Sequence, residues 1–211
     1  MRFIGITGGV GAGKSELLKY LTTREDTRVM LADEIAKELS EPKGSCYPKL
    51  RKLFSSEQVF AQDGRIDRAK MAEVIFADQT KRAAMNAVIH PAVKSYVQEE
   101  CAAERERGRL KYLFLEAALL IEEHYDEICD ELWYIYTSKE NRKKRLKASR
   151  GYSDEKIEAI FASQLAEEGY RDACQYEIDN NGTTEETIAQ VLKILNSEGE
   201  DTNGVYRKSC R

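Results

Sequence analysis

Between Gly8 and Ser15 the chain reads Gly-Gly-Val-Gly-Ala-Gly-Lys-Ser, which sets Gly8, Gly13, Lys14 and Ser15 at the fixed positions of the phosphate-loop pattern G-x-x-x-x-G-K-[ST]. Glycines at 8, 9, 11 and 13 let the backbone turn tightly and bring its N–H groups up to phosphate oxygens. Lys14 can reach the outer phosphates of a nucleoside triphosphate, and the Ser15 hydroxyl can ligate Mg²⁺. A helix starting at Lys14 adds its positive end. Gly11, Ala12, Gly13, Lys14, Ser15 and Glu16 are the expected nucleotide-binding run, with ATP and Mg²⁺ as the expected cofactors. A plain glycine-rich turn would not account for lysine and serine at the helix start.

Other residues could take part in phosphoryl transfer. Asp33 follows the apolar run Val29-Met30-Leu31-Ala32, and in an open parallel sheet ligands gather beyond the carboxyl ends of the strands. It suits a general base, and it would also serve as the N-cap of a helix over 34–39. Glu116 follows Tyr112-Leu113-Phe114-Leu115, where phosphate-loop enzymes place a carboxylate near the metal and where an acid can equally cap a following helix. Lys139 to Arg150 holds seven cations, at 139, 142, 143, 144, 145, 147 and 150, in a chain whose net charge is −4. A charge run is ordinarily a solvated face, but arginines of a mobile lid, Arg145 and Arg150 here, can stabilise the charge spread over a transferring phosphoryl group. Tyr47, Arg51, Arg65 and Arg68 are candidates for acceptor contacts or plain surface residues, and His90, beside Pro91, is a lone histidine of the kind that is more often structural.

Positioning these groups requires a scaffold. Apolar runs at Phe3 to Thr7, Val29 to Ala32, Tyr112 to Leu115, Leu132 to Tyr136 and Tyr176 to Ile178 predict five buried parallel strands of an α/β fold. Helical spacing follows the first, at Leu17, Leu18 and Leu21, and recurs at Ile188, Val191, Leu192 and Leu195. Residues 34–110 read as mostly helical, punctuated by Pro42, Gly44, Pro48 and Gly64, with one helix ending at His90 and another beginning at Pro91. No crossover connection needs that length, so it reads as an insertion that holds the acceptor. Glu99 to Arg109 alternates acids and bases and predicts a wet helical face.

At 211 residues one α/β domain with insertions is expected. An acidic balance gives no nucleic-acid surface, no apolar run approaches the length of a membrane span, and a strand beginning at Phe3 leaves no room for a signal peptide. Five cysteines without a C-x-x-C pair read as reduced thiols of a cytoplasmic protein. Small-molecule substrates are the expected partners, without nucleic acid or membrane, and a monomer or weak homo-oligomer is the expectation for assembly.

From about Phe3 to Leu195 the ordered set resembles the dephospho-coenzyme A kinase family. The family's opening Thr-Gly-Gly-Ile-Gly-Ser-Gly-Lys-Ser is met by Thr7 to Ser15, its Asp-Ala-Asp by Leu31-Ala32-Asp33, its Arg-x-x-Leu and Phe by Arg68, Met71 and Phe76, and its His-Pro-x-Val by His90 to Val93. Its Asp-x-Pro-Leu-Leu-Phe-Glu is met by Glu116 to Glu122, its lid arginines by Arg145 and Arg150, its glutamine by Gln164, and its Ile-Asp-Asn-x-Gly by Ile178 to Gly182. Leu31, Glu116 and Ala118 depart from the family's aspartates and proline. The resemblance implies a three-layer P-loop kinase fold with a five-stranded parallel sheet flanked by helices: a nucleotide core over 1–33, 111–138 and 173–196, a helical acceptor domain over 34–110 and a lid over 139–172; beyond it, the polar residues 197–211 read as a loose tail. It implies phosphorylation of the ribose 3′-hydroxyl of dephospho-coenzyme A by ATP, the last step of coenzyme A synthesis. Asp33 is then the base, Lys14 and Arg145 act on the phosphates, and Asp33, Arg68, His90, Glu116 and Leu119 bind the acceptor. Another small-molecule or nucleoside monophosphate kinase is the nearest rival. A nucleotide-dependent switch is a rival of another class, against which the missing Asn-Lys-x-Asp motif counts.

Overall fold

The computed structural model describes residues 1–197; the loose tail expected over 197–211 lies, from residue 198 on, outside the described residues. Within them the chain runs β1 (Arg2–Thr7), α1 (Lys14–Leu21), β2 (Thr27–Leu31), α2 (Ala32–Ser40), α3 (Tyr47–Leu53), α4 (Arg68–Ala77), α5 (Gln79–Arg107), β3 (Tyr112–Glu116), β4 (Glu131–Tyr136), α6 (Lys139–Arg150), α7 (Asp154–Ala162), α8 (Glu167–Ala173), β5 (Tyr176–Asp179) and α9 (Thr184–Asn196). All five strands are parallel and lie in the order β2-β3-β1-β4-β5. The register sets Ile6 against both Glu116 and Trp133, and Ile135 against Ile178, so the carboxyl ends of β1, β3, β4 and β5 line one edge.

The described residues divide into two compact units, residues 1–29 with 107–197, and residues 30–106. In the first, one face of the sheet is sealed by Leu17, Leu18 and Leu21 of α1 and Val191, Ile194 and Leu195 of α9, packed on Ile4, Ile6, Phe114, Trp133, Ile135 and Ile178. Apart from Ile194, these are positions that the strand runs and helical spacings single out, whereas Ile188 and Leu192 of the expected stripe are only partly buried; a parallel sheet covered by helices buries both faces of its strands. A capping box at Thr183 and Glu186 starts α9. In the second unit Leu50, Phe54, Val59 and Met71 form a separate core, with Met85, Val88 and Ile89 of α5 packed on it. Asp67 caps α4 through Lys70 N, and the Asp78 carboxylate accepts from Thr80 N and Lys81 N at the start of α5.

Four sequence expectations need correction. The helix over 34–110 does not break at His90-Pro91: α5 is continuous with Pro91 inside it, because Val88 and Ile89 before the proline and the buried Val93 and Val97 after it hold both sides against the loss of one backbone hydrogen bond. Its last turns are not uniformly wet either, since Cys101 and Glu104 continue the buried stripe of Val93 and Val97. Asp33 is not a helix cap; α2 begins at Ala32 with Leu31 at the N-cap, which leaves Asp33 in the first turn. No helix starts directly after Glu116, so that acid is not the cap of a following helix.

Candidate active site

Local chemistry shapes the phosphate loop first. Gly13 precedes α1 with φ 87°, a left-handed conformation open to glycine, and Gly8 leaves β1 with φ 145°, where an added Cβ would stand 2.6 Å from Ile135 O. The loop is then held by three residues that arrive much later in sequence. Ala12 O accepts from Asn180 Nδ2 at 2.6 Å, from Thr137 Oγ1 at 3.0 Å and from Arg145 Nη1 at 3.2 Å. Arg145 Nη2 also donates to Asn180 O at 2.7 Å, and Thr187 Oγ1 donates to Asn180 Oδ1 at 2.8 Å. A trans peptide points its N–H opposite to its C=O, so drawing the Ala12 carbonyl inward turns the Gly13 N–H outward. The Gly11 and Gly13 N–H groups have no acceptor among the described residues. That is the donor arrangement of an anion cradle at the positive end of α1.

Lys14 Nζ donates to Gly8 O at 2.7 Å and lies 3.6 Å from Glu116 Oε1, with both side chains largely shielded from solvent. The acid expected at a strand end therefore comes from β3, the immediate neighbour of β1, while β2, which leads to Asp33, lies beyond β3. Ser15 and Glu16 are exposed on the first turn of α1. Among the described residues no three carboxylate, imidazole or thiol groups converge into a metal cage. One hydroxyl at the cradle fits a hard cation that takes most of its ligands from phosphate and water.

The cationic run resolves into two kinds of residue. Arg142, Arg145 and Leu146 share one face of α6, turned to the loop. Lys143 and Lys147 pair with Asp154, Lys139 with Glu158, and Lys144 with Glu140 on the wet side. Arg150 is exposed, its guanidinium 5.8 Å from the Tyr152 ring. Sequence reasoning missed Arg142, Thr137 and Asn180 as loop-holding residues. The i, i+3, i+4 spacing of Arg142, Arg145 and Leu146 was the available signal for the first.

In the helical unit, Asp33 and Arg68 line one cavity of about 220 Å³. Its floor is apolar, from Leu50, Ile66, Met71, Met85 and Ile89, and Lys37 and Glu41 complete its charged lining. Arg65 Nε and Arg68 Nη2 approach Glu41 at 3.6 and 3.8 Å. Tyr47 donates to Gly64 O and Arg51 stacks 4.9 Å from the Phe60 ring, so both carry structure in this unit. His90 is half-buried on α5 and Leu119 is exposed after β3; neither lines that cavity.

A parallel sheet with a lysine-bearing phosphate loop at its central strand, backed by arginines from a later helix, defines a P-loop phosphotransferase. A family model described as dephospho-CoA kinase (CoaE) matches residues 2–186. The dephospho-CoA kinase of Thermobifida fusca is 34% identical over 191 residues, 90% of this chain and 93% of that protein. Among solved structures, TT1252 from Thermus thermophilus superposes with a TM-score of 0.75 at 29% identity, covering 95% of this chain and 98% of that one. The dephospho-CoA kinase of Campylobacter jejuni shares the fold with a TM-score of 0.68 at 20% identity, covering 92% and 98%. The chain belongs to the dephospho-CoA kinase family.

Proposed function

We propose that, in the ATP-dependent phosphorylation of dephospho-CoA carried out by this family, Asp33 takes the proton from the ribose 3′-hydroxyl as that oxygen attacks the γ-phosphorus. The cavity of the helical unit carries this reading: an exposed carboxylate shares it with an arginine over an apolar floor, which suits an acceptor with a charged phosphate and a weakly polar body. The outward N–H groups of Gly11 and Gly13 take phosphate oxygens, Lys14 takes the outer phosphates, and Arg145 offsets charge on the transferring group. Arg68, His90, Glu116 and Leu119 contact the acceptor, and residues 139–172 act as a lid over it. Ser15 would hold Mg²⁺, which when bound neutralises charge on the phosphate oxygens.

The same proposal sets the protein in the cytoplasm, which the thiols of Cys46 and Cys174, in no disulfide, support, and takes it as a monomer or weak homo-oligomer. No helix among the described residues is long and apolar enough to cross a membrane. The decisive experiment is Asp33→Asn in a coupled assay with ATP and dephospho-CoA. We expect kcat to fall about 10²- to 10⁴-fold with ADP affinity unchanged. A variant with wild-type kcat removes Asp33 from the chemistry.

A further inference from the structure

Arg142 is buried to 8% exposure although it belongs to a run of cations, and burial pulls its guanidinium below the usual arginine range. Burying a charge this way is unfavourable unless its donors are well matched. Here they are. Nε donates to Val10 O at 2.9 Å and Nη2 donates to Gln164 Oε1. The same Gln164 oxygen accepts from Val10 N at 3.3 Å. One flat face of the guanidinium lies 4.4 Å from the Phe161 ring centroid, and a Cβ added to Gly9 would collide with its Cζ and both terminal nitrogens. Leu146, one turn further on, stands 3.0 Å from the Cβ position of Gly11.

Arg142 and Gln164 therefore fix two consecutive peptide planes of the phosphate loop, one through the Val10 N–H and one through the Val10 carbonyl. By the geometry of a trans peptide, holding the Val10 carbonyl against Arg142 turns the Gly11 N–H away from it, to the side on which that donor has no protein partner. We propose that Arg142 is a positioning residue for nucleotide binding: with Gln164 and Phe161 it aims the Gly11 N–H at a phosphate oxygen of the bound nucleotide. Arg145, Thr137 and Asn180 do the same for Gly13, so the two donors are set by separate clamps. This rests on the nucleotide-site reading above and deepens it. It also explains why the loop carries glycine at 9, since the guanidinium fills the place a side chain would take.

Direct titration with ADP tests this without reference to the acceptor, so failure here differs from failure of the kinase reading, which would show as absent turnover with dephospho-CoA while ADP still binds. Arg142→Met should weaken ADP binding and raise KM for ATP about tenfold, the effect of losing one charge-assisted hydrogen bond, with KM for dephospho-CoA within about twofold. Gln164→Leu should act in the same direction, and the double variant should be little worse than Arg142→Met alone, because the two side chains are bonded to each other and hold the two peptide planes of Val10 as one network. Arg142→Lys, which keeps the charge but loses the flat fork, should recover part of the affinity. A lowered melting temperature with ADP affinity unchanged would make Arg142 a merely structural residue and overturn the proposal. Additive losses in the double variant would overturn the shared clamp. If Arg142→Met does not fold, Arg142→Lys and Phe161→Leu carry the same readout, and wild-type ADP affinity in both sinks the idea.

Discussion

Gly13→Ala is the perturbation on which the loop argument is most exposed. At φ 87° an alanine sits in the left-handed region, which costs about 1–2 kcal/mol. Its methyl would also collide with Asn180 Nδ2 and stand 3.0 Å from Arg145 Nη1, so the bond from Asn180 to Ala12 O must break, which adds about 1–3 kcal/mol for a disturbed buried pair. Together these give about 2–5 kcal/mol, or a fall in Tm of about 4–20 °C for a chain of this size. Gly151→Ala supplies the comparison. That glycine caps α6 at φ 62° with nothing within 4 Å of its Cβ position, so it carries the backbone term alone, about 2–8 °C. Thermal unfolding of both variants, with and without saturating ADP, separates the two effects. Gly13→Ala should be the less stable and should gain less from ADP, while Gly151→Ala should gain as much as the wild type. Equal melting temperatures, or a full ADP response in Gly13→Ala, would refute the claim that Asn180 and Arg145 pin the loop.

Three further outcomes follow from the structure. Arg145→Ala should lower kcat by about tenfold or more and Arg150→Ala by less than about twofold, since Arg145 reaches Ala12 O whereas Arg150 is exposed beside Tyr152; steady-state kinetics of both variants decides this. Burial, with Glu177 adding to it, pushes the Cys174 thiol from 9.0 up to about 12, so it should resist iodoacetamide at pH 8 in the native protein and react after denaturation, as read by mass spectrometry. The stability this group contributes is fully present below about pH 9 and is lost as pH rises toward about 12, so denaturant midpoints should fall between those values.

What the sequence made legible was local. The loop motif, the five strand runs and the amphipathic α9 are each encoded within a few residues, by glycine placement, apolar continuity or 3.6-residue spacing. What it hid depended on neighbours far away in the chain. Apolar runs carry no information on which strand lies beside which, so nothing placed β3 and its Glu116 between β1 and β2. Arg142 looks like any other cation among lysines, because its burial is decided by Gly9 and Phe161. Pro91 reads as a break by local rule, and packing overrides it. Asp33 sits one position inside α2 because β2 ends at Leu31, a boundary set by strand pairing and not by where apolar residues stop.

The carbonyl of residue 12 waits for an amide from residue 180. During synthesis the ribosome delivers the glycine loop 168 residues before the asparagine that tethers it. A nascent chain halted before β5 would hold a finished motif that cannot yet take its final shape. The loop's full set of tethers is thus complete only once β5 and the residues after it have been made.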